Sequence, residues 1–370
     1  MSTTKGWPLG RNQALDGLRA VAVIAVILVH AFRGKAFTGG FVGVDIFFVL
    51  SGYLITTLFL AEQNATGRIS LIKFYLRRIL RLTPALWLVL AFCALLLFRS
   101  AKAHDQFLAI VAAGTYAMNW ALAFDTSEGW ILLHTWSLSI EEQFYLLWPA
   151  VLILAMRVNE QSGPPWVAFA CLAISTLVSV YLTVSGYSPA DIYYGFETRS
   201  SELFVGCVLA TTTLPVTVQA AAARLWFVPV MALTFVLLFA HWESRWLGLG
   251  GFQFIAFAAA WLIVAARKDN VLADTLRLPA LVYVGRISYG IYLWHFVLLQ
   301  LFHARLGATL AATIGIPLSF LLAAASFEFI ERPILRYSHR HFAARPRPSE
   351  TTLMPGHLAK TQVLIALGDV

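Results

Sequence analysis

The sequence predicts an all-α fold, a polytopic transmembrane helical bundle of about ten spans with both termini in the cytosol. Three observations lead there. Hydrophobic residues make up 59% of the 370-residue chain and charged residues only 12%, about half the charged share of a typical soluble domain. A chain of this size cannot hide so much apolar surface from water, so lipid must cover it. Apolar runs long enough to cross a bilayer recur from end to end, and Lys and Arg collect in alternate joints between them.

The runs fall near 15–32, 41–61, 79–98, 136–156, 166–186, 200–215, 225–241, 247–266, 281–303 and 308–330. Most approach the roughly 20 residues that a helix needs to span the hydrocarbon core. An eleventh run, 107–124, has the polar interior GTYAMNW and is read as dipping into the bilayer without crossing. Pro and charge break the chain at NEQSGPP, RKDNVLADTLRLP and ERP. Lys5 and Arg11 hold the N-terminus inside; Arg68, Lys73, Arg77, Arg78 and Arg81 mark one cytosolic joint, and Arg267, Lys268 and Arg277 another. Of the 27 basic residues only Arg33, Lys35, Arg99, Lys102, Arg199, Arg245 and Arg305 then fall at the outer ends. Residues 1–336 form the membrane-embedded domain, and 337–370, basic and weakly patterned, a flexible cytosolic tail. The net charge of +8 is therefore a record of topology, and no nucleic-acid partner is expected. The N-terminus is too polar for a cleaved signal peptide. Cys93, Cys171 and Cys207 lie in apolar runs without metal-ligand or disulfide spacing, and no metal is expected.

The chemistry concentrates in ionisable residues inside these apolar runs, which are functional by default. Arg19 and His30 are eleven residues apart in LRAVAVIAVILVH, which places them on one helix face about 16 Å apart along the axis. Taken alone, Arg19 also reads as a snorkelling end residue and His30 as an interhelical hydrogen bond. Asp45 sits about one turn into the second run, at a depth that matches His30, and the two are expected to meet as carboxylate and general base. Glu141 and Glu142, within HTWSLSIEEQFYLLWP, and Arg199 and Glu202, within FETRSSELFVGC, are placed near the same outer depth. Together they would make one polar layer lining a cavity for a polar ligand. On the cytosolic side FYLRRILRL puts Arg78 and Arg81 on one face, near the level of Arg19. Beyond a topology signal, forked guanidinium groups match phosphate oxygens. A ligand phosphorylated at one end and reactive at the other, such as acyl-coenzyme A, would fit the span from the arginines to His30.

Taken together, LDGLRAVAVIAVILVH, GGFVGVDIFFVLSGYLIT, FYLRRILRLTPA, HTWSLSIEEQFYLLWP, VGRISYGIYLWHF and FIERPILR resemble the acyltransferase 3 family across roughly residues 11–336. Members are bacterial integral-membrane O-acyltransferases that modify lipopolysaccharide, exopolysaccharide, peptidoglycan, lipo-chitooligosaccharides and some macrolides. The resemblance implies a multi-pass protein of the bacterial cytoplasmic membrane, with acyl-CoA (acetyl-CoA) as donor and a carbohydrate or glycolipid hydroxyl as acceptor. Carried onto this chain, it implies that His30, Asp45, Glu141 and Glu142 are catalytic and that Arg19, Arg78 and Arg81 hold the donor. Trp136, Arg199, Glu202 and His295 are expected to contact the substrate. Some members continue into an esterase-like domain; the residues after 336 are expected to be too few for one. Two alternatives stay open: acylation of a macrolide-type small molecule, and transport or flipping of a polar substrate. Transport would favour broken helices at the midplane and an internal repeat, and no repeat is visible.

Overall fold

The computed structural model describes residues 12–33, 35–97, 103–124 and 131–336. Lys5, Arg11, Arg99 and Lys102, used above for orientation, and the expected tail 337–370 lie outside the described residues. Sixteen α-helices and no strand are found among those described. Helix α1 (Gln13–Ala31) starts where the Asn12 side chain accepts the Ala14 N–H at 3.0 Å. Helix α2 (Val42–Thr66) returns antiparallel and stops at Gly67, which takes the left-handed conformation at φ 72°. Helix α3 (Leu71–Leu97) precedes two short helices, α4 (Ala103–Gly114) and α5 (Met118–Ala123). A 3-10 turn, Leu133–Thr135, leads into α6 (Trp136–Val158), followed by α7 (Gly163–Val184), α8 (Pro189–Tyr194) and α9 (Phe196–Thr211). Helices α10 (Val216–Arg224) and α11 (Phe227–Phe239) precede a π-type turn, Leu247–Gly251, and α12 (Phe252–Ala266). Helices α13 (Val271–Leu276), α14 (Pro279–Arg286), α15 (Ser288–Leu306) and α16 (Ala308–Ser326) close the bundle.

Small residues set the packing at its centre. A Cβ on Gly43 would sit 2.2 Å from the Ala22 carbonyl oxygen, and one on Gly40 would sit 2.5 Å from that of Ala25, so α1 and α2 meet backbone to backbone. Gly52 and Gly206 do the same for α2 and α9, against the carbonyls of Leu203 and Val49. In a bilayer, where lipid is as apolar as leucine, such close approach supplies the dispersion contact that drives helix association. Helix α2 is accordingly the inner post: 78% of its apolar window is buried, against 22% for α3 and 28% for α7. Their large exposed residues, among them Trp87, Leu95, Leu177 and Tyr181, form the lipid-facing surface.

Length and apolarity by themselves pick out fewer spans than the ten expected. Seven helices among the described residues are long and apolar enough to cross a membrane, and nine if each of two bent pairs counts as one span. The pairs are α10 with α11, bent by 58°, and α14 with α15, bent by 70°. The run 107–124 resolves into α4 and α5, of 12 and 6 residues. The expected span at 200–215 is α9, whose 16 residues include Arg199 and Glu202. At about 1.5 Å per residue it reaches roughly 24 Å, less than the hydrocarbon thickness. It is buried by α2, α7 and α12, and a helix shielded by protein need not match the lipid. Whether α9 crosses decides whether the crossing number is odd or even. Topology reporters inserted at Gly186 and at Leu214, on either side of α8 and α9, are expected to report opposite faces; the same face for both would leave nine spans at most.

Candidate active site

Three groups of polar side chains lie inside the bundle. The first is built from histidines at the end that carries the α1–α2 turn, the outer end in the charge-derived orientation. His30, in the last turn of α1, places Nδ1 3.0 Å from Nε2 of His295 on α15. Nδ1 of His295 lies 2.6 Å from the Tyr292 carbonyl oxygen. A carbonyl only accepts, so His295 donates from Nδ1 and, with both rings neutral, accepts at Nε2. His30 then donates from Nδ1 and keeps the lone pair on Nε2. The histidine pair thus fixes a tautomer, the role first given to a carboxylate. His134, in the 3-10 turn, is buried beside them, its ring centroid 5.4 Å from that of His295 and 4.9 Å from that of Phe296. The Tyr292 hydroxyl ties this turn down, donating to the His134 carbonyl and lying 2.7 Å from Ser137 Oγ. His30 also borders a shallow recess shared with Arg33, Phe296, Gln300 and His303. No set of three His, Cys, Asp or Glu among the described residues is placed to hold a metal ion.

The second group is cationic. Arg19 on α1 and Arg78 and Arg81 on α3 are half-buried and within electrostatic reach of one another. None makes an ion pair within 4.0 Å among the described residues. Aromatic faces hold two of them: the Arg78 guanidinium lies 4.6 Å from the Tyr145 ring centroid, and that of Arg19 lies 5.5 Å from the Phe47 ring. Glu141 on α6 feels all three charges. It accepts a hydrogen bond from Ser51 Oγ at 2.5 Å, and Ser51 accepts one from the Tyr145 hydroxyl at 3.1 Å. Glu142 lies within reach of Arg78 and Glu141. Three guanidinium groups without a direct ion pair among the described residues gather in a half-buried recess, with Glu141, Glu142 and Asp16 near enough to act on them; their forked donors suit an anion such as a phosphate.

The third group is sealed. Arg199, Asp45 and Glu202 are each 0% exposed. Arg199 Nη2 bonds Asp45 Oδ1, and Arg199 Nε lies 3.0 Å from Glu202 Oε1. Four aromatic rings surround the guanidinium, with centroids at 3.9 Å for Phe252, 4.9 Å for Tyr193, 5.5 Å for Trp136 and 5.7 Å for Phe48. Gln253 on α12 donates to Ser201 Oγ at 2.9 Å, which in turn lies 3.1 Å from Glu202 Oε2.

The expected single layer therefore divides. Asp45 does not meet His30. The contacts of Gly40 with Ala25 and Gly43 with Ala22 bring Asp45 level with Ala20, about 15 Å below His30 along α1. The sequence estimate counted turns from each helix end, but the α1–α2 loop lets α2 start deeper. Glu141 and Glu142 belong with the arginines, away from the outer layer. Arg199, Glu202 and Trp136 are buried; Arg199 pairs with both Asp45 and Glu202, and Trp136 packs on Tyr193 at 4.8 Å between centroids. His295 sits beside His30. The sequence reading missed His134 and Tyr292, although the former opens HTWSLS and the latter is three residues from His295, on the same helix face.

Breaking a buried ion pair from one side typically costs about 3–5 kcal/mol, because the other charge stays buried. Asp45→Ala is thus expected to lower the thermal unfolding midpoint in detergent or nanodiscs substantially. Asp45→Asn keeps an acceptor for Arg199 and should lower it less. Equal midpoints for Asp45→Ala and wild type would mean that the pair contributes nothing to the fold.

The acyltransferase domain family matches residues 12–328. Among curated relatives, a peptidoglycan O-acetyltransferase OatA of Listeria monocytogenes is 33% identical over 87% of this chain and 55% of its own length. An O-acetyltransferase OatA of Staphylococcus aureus is 31% identical over 95% of this chain and 61% of its own. The chain spans about three fifths of the length of the curated relatives it matches. No solved structure matches it. With the family match running from the cap of α1 through α16, over all three polar groups, this chain belongs to the acyltransferase 3 family.

Proposed function

We propose that this chain is a membrane O-acetyltransferase that moves an acetyl group from acetyl-CoA to a carbohydrate hydroxyl, acting in the bacterial cytoplasmic membrane. The observation that carries the reading is the polarity of α1: the cationic recess at Arg19 and the imidazole pair at His30 lie on one helix, eleven residues apart. Phosphates held by Arg19, Arg78 and Arg81 and a thioester extended toward His30 would follow that axis for about 16 Å. At the outer end His30 Nε2 takes the proton of the acceptor hydroxyl. The hydroxyl oxygen forms the new bond to the thioester carbonyl carbon, the carbon–sulfur bond breaks, and coenzyme A leaves as thiolate. His295 is a positioning residue, holding His30 in the tautomer that has Nε2 free. Glu141, fixed by Ser51, limits the charge that the arginines bring together when no donor is present. The O-acetyltransferase names of the relatives favour acetyl as the group moved.

The bent helix pairs are the feature that a transporter would need, but broken transporter helices bind substrate near the midplane. The bend between α14 and α15 lies next to Gly285, which packs against Asp16 in the first turn of α1. It falls at the end of the bundle, which favours transfer chemistry over passage of a substrate.

Each charged hydrogen bond lost from the donor recess is expected to cost about 1.5–3 kcal/mol, roughly ten- to a hundredfold in coenzyme A affinity. Arg78→Ala and Arg81→Ala should show that loss by calorimetry, and Arg81→Lys should recover only part of it, since a point charge cannot make the forked contact. Unaltered affinity in both alanine variants would end the assignment. A second measurement follows labelled acetyl from acetyl-CoA to acceptor. His30→Ala should lower transfer by about 10²–10⁴ while donor binding persists, and His295→Ala should lower it less. Wild-type transfer by His30→Ala would make His30 a packing residue. Sugar movement across vesicles with no acetyl-CoA consumed would instead favour transport.

A further inference from the structure

A cleft that none of the preceding chemistry uses opens at the same end of the bundle as His30. Four segments build it: the end of α7, the helix α8, the 240–246 loop after α11, and the π-type turn before α12. Its volume is about 180 Å³, below the roughly 300–1,000 Å³ of sites that take a whole drug-sized ligand and of a size for one small unit of a longer one. Tyr187 and Trp242 supply accessible aromatic rings, Tyr193 and Phe252 lie buried behind them, and Glu243 and Arg245 stand at the rim. Glu243 and Arg245 are exposed and make no ion pair among the described residues.

Tryptophan and tyrosine at a membrane boundary commonly face lipid as an interfacial belt. Trp242 does not fit that description. It is half-buried and packs inward, with centroids 5.2 Å from Tyr193 and 6.1 Å from Tyr194. Tyr193 in turn lies 4.8 Å from Trp136, two residues after His134. Packed aromatic rings thus run from the cleft to Trp136, at the start of the helix that follows the His134 turn, while the recess beside His30 has a separate lining. A pyranose ring has apolar C–H faces and hydroxyls around its edge. Aromatic faces with an unpaired carboxylate and an unpaired guanidinium beside them match both surfaces. One sugar cannot fill two separate recesses; a chain of sugars can.

We propose that this cleft binds sugar units of an oligosaccharide acceptor that flank the unit acetylated at His30. The proposal rests on the acetyl-transfer reading for its purpose, but its binding test does not. The probe is chitotetraose, a neutral β-1,4-linked oligosaccharide of N-acetylglucosamine, compared with N-acetylglucosamine alone, on purified full-length protein in nanodiscs without donor. Chitotetraose is expected to bind at least tenfold more tightly than the single sugar. Trp242→Ala, Glu243→Gln and the exposed Tyr187→Ala should each reduce that ratio at least threefold, with coenzyme A binding measured alongside as the check on folding. Equal affinity for the two sugars, or a ratio unchanged in all three variants, overturns the cleft. A ratio that collapses in a protein that never transfers acetyl supports the cleft and counts against the transfer reading. Acetyl transfer whose kcat/KM is independent of acceptor length does the reverse.

Discussion

The buried contact of Arg199 with Asp45 and Glu202 is the constraint around which the interior is arranged. Removing one cation and two carboxylates from water costs several kcal/mol per ion, and the mutual attraction offsets this only where geometry is tight and the remaining polar atoms are served. Here the geometry is tight because Gly52 and Gly206 let α2 and α9 touch along their backbones, which brings Asp45 within bonding distance of Arg199. The aromatic rings that sheathe the guanidinium come from four elements: Phe48 from α2, Trp136 from α6, Tyr193 from α8 and Phe252 from α12. One charge centre thereby registers five helices against each other. Charge is used here for specificity of packing, since hydrophobicity alone cannot order helices in lipid.

From that centre the two chemical ends take their positions. Trp136 is the first residue of α6, so fixing its ring also fixes the preceding 3-10 turn and His134. Tyr292 reaches the same turn from α15 through the His134 carbonyl and Ser137, and one turn further along α15 His295 meets His30. On the other side α2 carries Ser51, which holds Glu141 toward the arginines. The half-buried cationic recess and the histidine pair are joined by α1, one unbroken helix. In the proposed reaction that helix would gauge the length of a donor reaching from one to the other. The packed aromatic rings beyond Trp136 lead outward to the Tyr187–Trp242 cleft.

Much of this was legible in the residues. Composition forced a lipid-covered helical bundle, because no folded soluble chain can bury that apolar share. The eleven-residue spacing of Arg19 and His30 and the three-residue spacing of Arg78 and Arg81 are local facts of helix geometry, and the helices formed where the periodicity put them. The run 107–124 was marked as irregular by its polar interior, and it breaks into two short helices. Partner choice was not legible in this way. Asp45 lies three residues after the start of α2 and His30 one residue before the end of α1, which suggests equal depth when helix ends are taken as level. The glycine contacts instead offset the helices, and a contact between backbones has no signature in either helix alone.

The sequence by itself determined the class of fold, the identity of the ionisable residues and which of them share a helix face, because these depend on composition and on the 3.6-residue period. Only the tertiary structure decided that Asp45 and Glu202 serve Arg199, that His295 rather than a carboxylate steadies His30, and that Glu141 faces the arginines. It also bent α14 from α15, and it left α9 as a short, sealed helix whose charges are answered by α2. Those outcomes depend on the relative heights and rotations of helices far apart in the chain. They are set by the sum of many small packing contacts and a few buried charges, and no single segment contains that sum.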